Sequence, residues 1–165
     1  MGLARPLKHI TIYAKYMRLA IEKAREGVLQ GQSPFGAVIV KKRKIIASVH
    51  NKVWKDCDIT AHAEITAIRE ACKKLNTVDL SVCTIYTTCE PCPMCFGAIH
   101  WARISMVVFG CKISDAKEIG FSELTVSARR LKSLGKSHVA VVGGLLREEC
   151  LEVMELWKEL GGRPY

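Results

Sequence analysis

Three cysteines stand close together near the middle of this 165-residue chain, in the stretch TTCEPCPMCFGAIHWA. Cys89, Cys92 and Cys95 are spaced three positions apart, with Pro91 and Pro93 between them. Thiolates at such spacing bind borderline or soft metal ions. They can hold an iron–sulfur cluster, close a structural zinc site, or leave a zinc ion with one open position for catalysis.

A histidine upstream completes a mixed set of ligands. Cys92 and Cys95 fall in the opening turn of a predicted helix, where residues three apart project from one face and the helix N-terminus stabilises thiolates. His62 lies near the start of the preceding predicted helix. Two strand–helix junctions at one sheet edge would bring these helix starts together. Three protein ligands leave zinc's fourth position for water, which is the catalytic pattern.

Glu64 follows His62 by two positions. On an ideal helix it is rotated by about 200° from the histidine, so it is a poor candidate for a further ligand. It is well placed to exchange protons with a water molecule at the metal. Taken singly, His62 could be a packed core histidine and Glu64 a charge that serves the helix dipole.

The two other kinds of metal site stay open at this point. Cys89 could join the three ligands and close a structural site, but it belongs to the end of a predicted strand and its thiol need not face the ion. An iron–sulfur run needs a fourth cysteine shortly afterwards, and Cys111 is too distant to supply it. The combination of H-x-E with a later P-C-x-x-C favours the open zinc site.

Hydrophobic periodicity predicts helices that alternate with strands. The hairpin strands FGAVIV and KIIASV enclose a basic tip at Lys41 to Lys44, and NKVWKDCDIT is expected to be a polar loop. Thr60 is the expected N-cap of the second helix, Pro93 lies in the opening turn of the third, and residues 111–136 are expected to be irregular. The predicted helices are 12–30, AHAEITAIREACKKL, CPMCFGAIHWARI and REECLEVMELWKEL, and the other predicted strands are CTIYTT, MVVFG and HVAVVGG. Residues 1–165 are therefore expected to form a single three-layer α/β/α domain around a central mixed sheet of about five strands.

Charge and composition limit the class of protein. The net charge is +9, which can attract nucleic acid, and part of it lies in the Lys41 to Lys44 tip and in a second basic group. That group, spaced along what could be the outer face of a short helix, comprises Arg129, Arg130, Lys132 and Lys136. Lys and Arg interrupt the apolar residues near the N-terminus, and no run is long enough to span a membrane. This predicts a cytoplasmic protein without a membrane partner. Its eight cysteines are then expected to stay reduced rather than to pair as disulfides.

The stretches TAHAEITAIREACKKLN and YTTCEPCPMCFGAIHWARI resemble the cytidine-deaminase-like superfamily of zinc deaminases. Within it the chain is most similar to guanine and guanosine deaminases, over roughly residues 12–125. The resemblance implies that fold, with zinc on His62, Cys92 and Cys95 and Glu64 as the proton shuttle. Such enzymes hydrolyse an N=C–NH₂ unit and release ammonia. Cytosine, adenine and guanine all contain that unit, so the motif does not name the base.

The same resemblance implies a set of substrate-binding residues. Asn51 matches an asparagine that bonds the substrate ring, although an asparagine there can equally cap its own loop. Phe35 matches a phenylalanine that packs on the ring. Trp101 and Glu123 fall where guanine deaminases have an aromatic and an acidic residue near the purine, and Ala63, beside the ligand His62, is assigned to the same pocket.

The end of the chain departs from this pattern. HVAVVGGLLREECLEVMELWKELGGRPY looks more like the last strand and helix of tRNA adenosine deaminases and fungal cytosine deaminase, while Tyr165 resembles the final tyrosine of the guanine enzyme. We therefore expect a guanine deaminase first, a tRNA adenosine deaminase second and a cytosine deaminase third. An RNA-binding module with a structural zinc is the non-enzyme alternative. The resemblance implies a homodimer, because that family usually pairs through the helix that carries the second metal motif, and the apolar stretch FGAIHWARI agrees with this. The alternative is that this face packs entirely within the monomer.

Overall fold

A mixed sheet of five strands with helices on both faces forms the protein. The structure, a computed structural model, describes the backbone of residues 4–165 and the side chains of residues 12–165. The strands are β1 (Gly36–Lys41), β2 (Lys44–His50), β3 (Cys83–Cys89), β4 (Met106–Cys111) and β5 (Ala140–Gly143). The helices are α1 (Ala4–Leu29), α2 (Val53–Asp56), α3 (Ala63–Leu75), α4 (Pro93–Trp101), α5 (Ile113–Glu118), α6 (Ala128–Leu134) and α7 (Arg147–Glu159).

The strand order is β2-β1-β3-β4-β5. Strand β1 is antiparallel to β2 and β3, whereas β3, β4 and β5 run parallel. The hairpin supplies the antiparallel part, and α4 and the segment containing α5 and α6 connect the parallel strands. The predicted mixed α/β sheet is confirmed.

Helices α1 and α7 pack together on one side of the sheet, and α3 and α4 pack together on the other. Burial on both faces explains why the central strands are almost continuously apolar: Ala37, Val38 and Ile39 are all fully buried. Gly36 lets α1 approach closely, because a Cβ there would lie 2.1 Å from the backbone oxygen of Ala20. These layers hold the carboxyl end of β3 firmly against the starts of α3 and α4.

Four boundaries differ from the predictions. Helix α1 begins at Ala4 rather than at residue 12, with Pro6 in the first turn, where proline is tolerated. The expected loop after β2 contains the short helix α2. His62, not Thr60, is the N-cap residue of α3, because the Thr60 hydroxyl donates a 2.7 Å hydrogen bond to Asp58 instead. Helix α4 ends at Trp101, since the chain turns at positions 102 and 103.

The segment predicted to be irregular contains α5 and α6. The side chain of Ser127 caps α6 by accepting a hydrogen bond from the Arg130 backbone N–H. Both helices are short, so the periodic signal of apolar residues in each is weak. Arg129, Arg130 and Lys132 lie on α6, and Lys136 follows it. Among the helices described, none has the length and apolar character that a membrane span requires.

Candidate active site

The three predicted metal ligands meet where two helices begin. His62 is the N-cap residue of α3, Cys92 is the N-cap residue of α4, and Cys95 lies in the first turn of α4. Pro93 is the first residue of α4, where its missing N–H costs no helix hydrogen bond. The starts of the two helices place one nitrogen and two sulfur atoms at the same sheet edge, as the spacing predicted.

The donor atoms fit a zinc ion. His62 Nδ1 lies 3.5 Å from Cys95 Sγ and 3.8 Å from Cys92 Sγ. All three donor atoms lie within 4.8 Å of one another. Tetrahedral bonds of about 2.0–2.3 Å to nitrogen and sulfur require donor separations of about 3.5–3.8 Å. His62, Cys92 and Cys95 would therefore hold zinc with one coordination position left open.

The cysteine pair already favours one thiolate. A hydrogen bond from the Cys95 thiol and the nearby His62 together lower the pKa of Cys92 to about 4, with the Cys95 bond as the larger cause. Cys95 is fully buried, and its hydrogen bond to Cys92 and its burial raise its own pKa. A bound metal stabilises both sulfurs as thiolates, because the thiolate is the form that ligates zinc.

Cys89 lies outside the ligand group. Its thiol donates a 3.4 Å hydrogen bond to the backbone oxygen of Lys112, and burial raises its pKa well above the usual value. Across residues 12–165, His62, Cys92 and Cys95 form the one set of His, Cys, Asp or Glu side chains gathered closely enough for a metal. The geometry therefore favours the open site over a closed four-ligand site.

Glu64 lies beside the ligands and is almost completely buried. Its Oε1 accepts a 3.1 Å hydrogen bond from the Thr87 hydroxyl, and its Oε2 accepts one of 3.5 Å from the Cys95 thiol. Thr87 belongs to β3, so the sheet fixes the orientation of the carboxyl group. Burial raises the pKa of Glu64, and a carboxyl group with a raised pKa suits proton transfer.

A cavity of about 400 Å³ opens next to the ligands His62 and Cys92. This volume lies within the range of about 300–1,000 Å³ that is usual for small-molecule pockets. The remaining lining residues are mainly apolar, and one of them is acidic: Ile59, Pro93, Met94, Phe121, Ser122, Glu123, Leu124 and Tyr165. The arrangement suits a flat, largely apolar ring that presents a polar edge to the metal ligands.

Four of the five predicted substrate residues lie around this centre. Phe35 and Glu123 line a small cavity with His62, Glu64 and Cys92. Ala63 is the first residue of α3, and the N–H groups of a helix's first turn have no acceptor within the helix.

Asn51 is buried, and both polar groups of its side chain are engaged. Its Oδ1 accepts a 3.0 Å hydrogen bond from the Val53 backbone N–H, so the loop-capping alternative is realised. Its Nδ2 donates a 2.8 Å hydrogen bond to the hydroxyl of Tyr165.

Trp101 is the predicted residue that the structure does not bring to the site. It lies nine positions after Cys92, about 13 Å along a helix that rises about 1.5 Å per residue. Its side chain is 84% exposed, and it lines a different depression with His100, Arg103 and His138. Within one chain, the length of α4 separates Trp101 from the metal ligands.

The structure also brings in residues without a predicted role. Phe121 contacts Phe35 edge to face at 4.9 Å and packs against Tyr165 at 5.1 Å. The ring of Tyr165 lies 5.5 Å from that of His62, and burial raises its pKa. Phe121 precedes the predicted Glu123 in GFSE, which was a weak sequence signal for a pocket wall.

Comparison with known proteins agrees with this geometry. The family model described as cytidine and deoxycytidylate deaminase zinc-binding region matches residues 11–111. Guanine deaminase of Bacillus subtilis is 51% identical over 109 residues, covering 66% of this chain and 70% of that protein. The tRNA-specific adenosine deaminase of the same organism is 41% identical over 135 residues, covering 82% and 81%. A solved structure of guanine deaminase from Nitrosomonas europaea superposes with a TM-score of 0.81 at 29% identity, covering 96% and 87%.

Proposed function

The chain belongs to the family of cytidine and deoxycytidylate deaminases with a zinc-binding region, and from this premise we propose that it deaminates guanine to xanthine. It is a deaminase, a hydrolase of the C–N bond of a nucleobase or nucleoside, with zinc as its cofactor. This membership argues against an RNA-binding module in which zinc is only structural. The identity of the base is the part that we propose.

Glu64 carries the proton transfers in the proposed reaction. Bound zinc supplies a Lewis acid that makes a water molecule in the site more acidic. Glu64 accepts a proton from that water as the oxygen adds to the ring carbon bearing the amino group. The Glu64 carboxyl group gives this proton to the adjacent ring nitrogen, then takes the second proton from the added hydroxyl group and gives it to the amino group, which leaves as ammonia as the C–N bond breaks. One water is consumed and one ammonia is released.

One observation supports a free base most strongly: Tyr165 forms part of the pocket wall beside His62. Tyr165 packs near His62, and its backbone oxygen accepts a 3.2 Å hydrogen bond from the Ser122 N–H. Arg163 stacks on Trp54 at 3.8 Å and secures the same segment. A nucleotide within RNA remains attached to its neighbours on both sides and needs an open path for the backbone. A pocket with this wall in place suits a detached ring better.

The acidic wall of the pocket also suits guanine. Glu123 lines the cavity beside His62 and Cys92, and burial raises its pKa to about 7. A carboxylate accepts hydrogen bonds from ring N–H groups, which guanine offers in addition to the amino group under attack. Adenine and cytosine present different donor patterns. Glu123 is therefore the residue proposed to favour guanine.

A tRNA adenosine deaminase is the second candidate. The tRNA-specific adenosine deaminase of Bacillus subtilis aligns with 82% of this chain, whereas the guanine deaminase of the same organism aligns with 66%. The net charge of +9 and the exposed cations Arg129 and Arg130 on α6 would attract a phosphate backbone. Deamination of cytosine remains the third predicted activity.

Ammonia release distinguishes these candidates directly. Zinc-loaded protein should be assayed on guanine, guanosine, cytosine, adenine and a tRNA anticodon stem-loop under identical conditions. We expect turnover of guanine and none of the stem-loop. Turnover of the stem-loop without guanine would replace the proposal with the tRNA activity.

We also propose a homodimer formed through α4. Trp101 on this helix is 84% exposed, and Met94 is 38% exposed. The expected contact between Trp101 and a purine can be met only across an interface between two copies. Sedimentation should show a dimer that Trp101→Ala weakens and that Leu134→Ala, at a 67% exposed position on α6, leaves intact. The cytoplasmic location expected from sequence stays a prediction.

A further inference from the structure

We propose that Glu90 is a positioning residue that fixes one wall of the substrate pocket in place. Its carboxylate binds both ends of the segment 113–128, which carries Phe121 and Glu123. The inference rests on the proposed function, because it concerns how that pocket holds its base.

Glu90 occupies a junction between the sheet and the metal site. It follows β3 directly, precedes Cys92 by two residues and is 8% exposed. Its backbone N–H donates a 2.8 Å hydrogen bond to the backbone oxygen of Cys111 at the end of β4. None of the ion pairs formed by the described side chains involves Glu90. The buried carboxylate of Glu90 is instead satisfied by hydrogen bonds from backbone N–H groups.

The two carboxylate oxygens bind the starts of two helices. Oε2 accepts a 3.3 Å hydrogen bond from the N–H of Ile113, the first residue of α5. Oε1 accepts one of 2.9 Å from the N–H of Ala128, the first residue of α6. Such N–H groups lack acceptors within the helix and carry partial positive charge, which favours an anion. A glutamine has one acceptor oxygen and would lose one of the two bonds.

The chain between these anchors forms the wall. Residues 119–127 adopt neither helix nor strand, so their path depends on the bonds at their two ends together with the Ser122 N–H bond to Tyr165. Phe121 contacts Phe35 and Tyr165, and Glu123 faces the cavity beside His62.

Another anchor holds the segment to a different part of the protein. Asp115 accepts a 2.7 Å hydrogen bond from Arg147, which ties α5 to α7. The Glu90 carboxylate instead ties the wall to the stretch that presents Cys92.

Glu90 also separates two spaces. On the inner side it lines the small cavity shared by His62, Glu64 and Glu123. On the outer side it lines a cavity of about 210 Å³ with Lys112 and other residues of this segment. Loss of one of the two hydrogen bonds of the Glu90 carboxylate would loosen the chain between these two cavities without removing a metal ligand.

Glu90→Gln tests this inference in the zinc-loaded protein. We expect the KM for guanine to rise about 10-fold, in line with the loss of a charge-assisted hydrogen bond, while kcat changes less than about threefold. Zinc content should stay at one equivalent. Glu155→Gln, on an exposed carboxylate paired with Lys158, is the matched control and should leave KM unchanged. A fall in kcat and zinc content with unchanged KM would overturn the proposal.

A double-mutant cycle separates positioning from general stability. If Glu90 acts through Glu123, the effect of Glu90→Gln on KM should shrink to less than about twofold in a Glu123→Gln background. Fully additive effects would contradict a role through the pocket wall.

Hydrogen exchange gives a readout that does not depend on the substrate. In Glu90→Gln, amides of residues 112–128 should exchange faster while those of 63–75 stay unchanged. Equal exchange in both proteins would overturn the inference even if guanine is turned over. If guanine is not turned over, the proposed function fails separately, and the exchange result still decides the role of Glu90.

Discussion

The side chains of Asn51 and Tyr165 are joined by a 2.8 Å hydrogen bond from Nδ2 to the phenol oxygen. Asn51 follows β2, whereas Tyr165 is 114 positions later in the sequence. The same Asn51 accepts a hydrogen bond from Val53, so its amide cannot rotate freely. This hydrogen bond links the pocket wall formed by Tyr165 to the stretch of chain that follows β2.

Removing the Tyr165 hydroxyl should weaken substrate retention. Tyr165→Phe deletes the hydrogen bond and leaves the Asn51 amide without that partner, so we expect the KM for guanine to rise about threefold to tenfold. Tyr16→Phe removes a comparable hydrogen bond, from the Tyr16 hydroxyl to Arg43, far from the pocket. Steady-state kinetics of both variants should separate the two effects, and equal changes in KM would contradict a role for the Tyr165 hydroxyl in the pocket.

Substitution of one ligand should abolish zinc binding, whereas substitution of the neighbouring cysteine should not. Cys92→Ser removes one of the three donor atoms, and we expect less than about one-tenth of an equivalent of zinc after dialysis. Cys89→Ser should retain one equivalent, because the Cys89 thiol bonds to Lys112 instead of the ligand group. Metal analysis of both proteins checks this. Zinc loss in Cys89→Ser would point to a closed site.

The pH dependence of KM should reveal the ionisation of Glu123. Burial raises the pKa of this carboxyl group to about 7. Its ionised form accepts hydrogen bonds from N–H groups, and its protonated form loses part of that capacity. The KM for guanine should therefore rise as the pH falls from about 8 to about 6. In Glu123→Gln this additional rise should be absent, and an identical pH profile in both proteins would contradict the assigned role.

The parallel core should account for much of the stability. Val107 in β4 is fully buried, so Val107→Ala should lower the free energy of unfolding by about 2 kcal/mol. Val82 is 55% exposed, and Val82→Ala should change the free energy of unfolding by less than about 0.5 kcal/mol. Urea titrations of both variants provide the comparison. Equal losses would show that the valine at the sheet centre is not packed as described.

The sequence predicted the ligand geometry because that geometry is local. Cys92 and Cys95 share one helical turn, and His62 starts a helix that the apolar pattern identifies. Strands β2 and β3 are both antiparallel to β1, so their carboxyl ends lie at one edge of the sheet and bring both helix starts together. Cys111 is too distant to complete an iron–sulfur run, and Cys89 ends a strand, so both observations also favoured the open zinc site.

The features that the sequence did not predict depend on the fold, mostly on contacts between distant parts of the chain. Thr60 has the side chain of an N-cap residue, but its hydrogen bond to Asp58 left His62 in that position. Trp101 lies on α4, the helix that begins with the ligands Cys92 and Cys95, yet the length of this helix places Trp101 outside the site of its own chain. The roles of Glu90 and Tyr165 arise from packing across the fold, which periodicity and spacing do not encode.

The most direct test of the account is ammonia release by Glu64→Ala, measured together with zinc content. Glu64 is not one of the three ligands, so the variant should retain one equivalent of zinc. Loss of the proton carrier should reduce kcat on guanine by at least about a hundredfold. A zinc-loaded Glu64→Ala protein that releases ammonia at the unaltered rate would contradict the proposed mechanism.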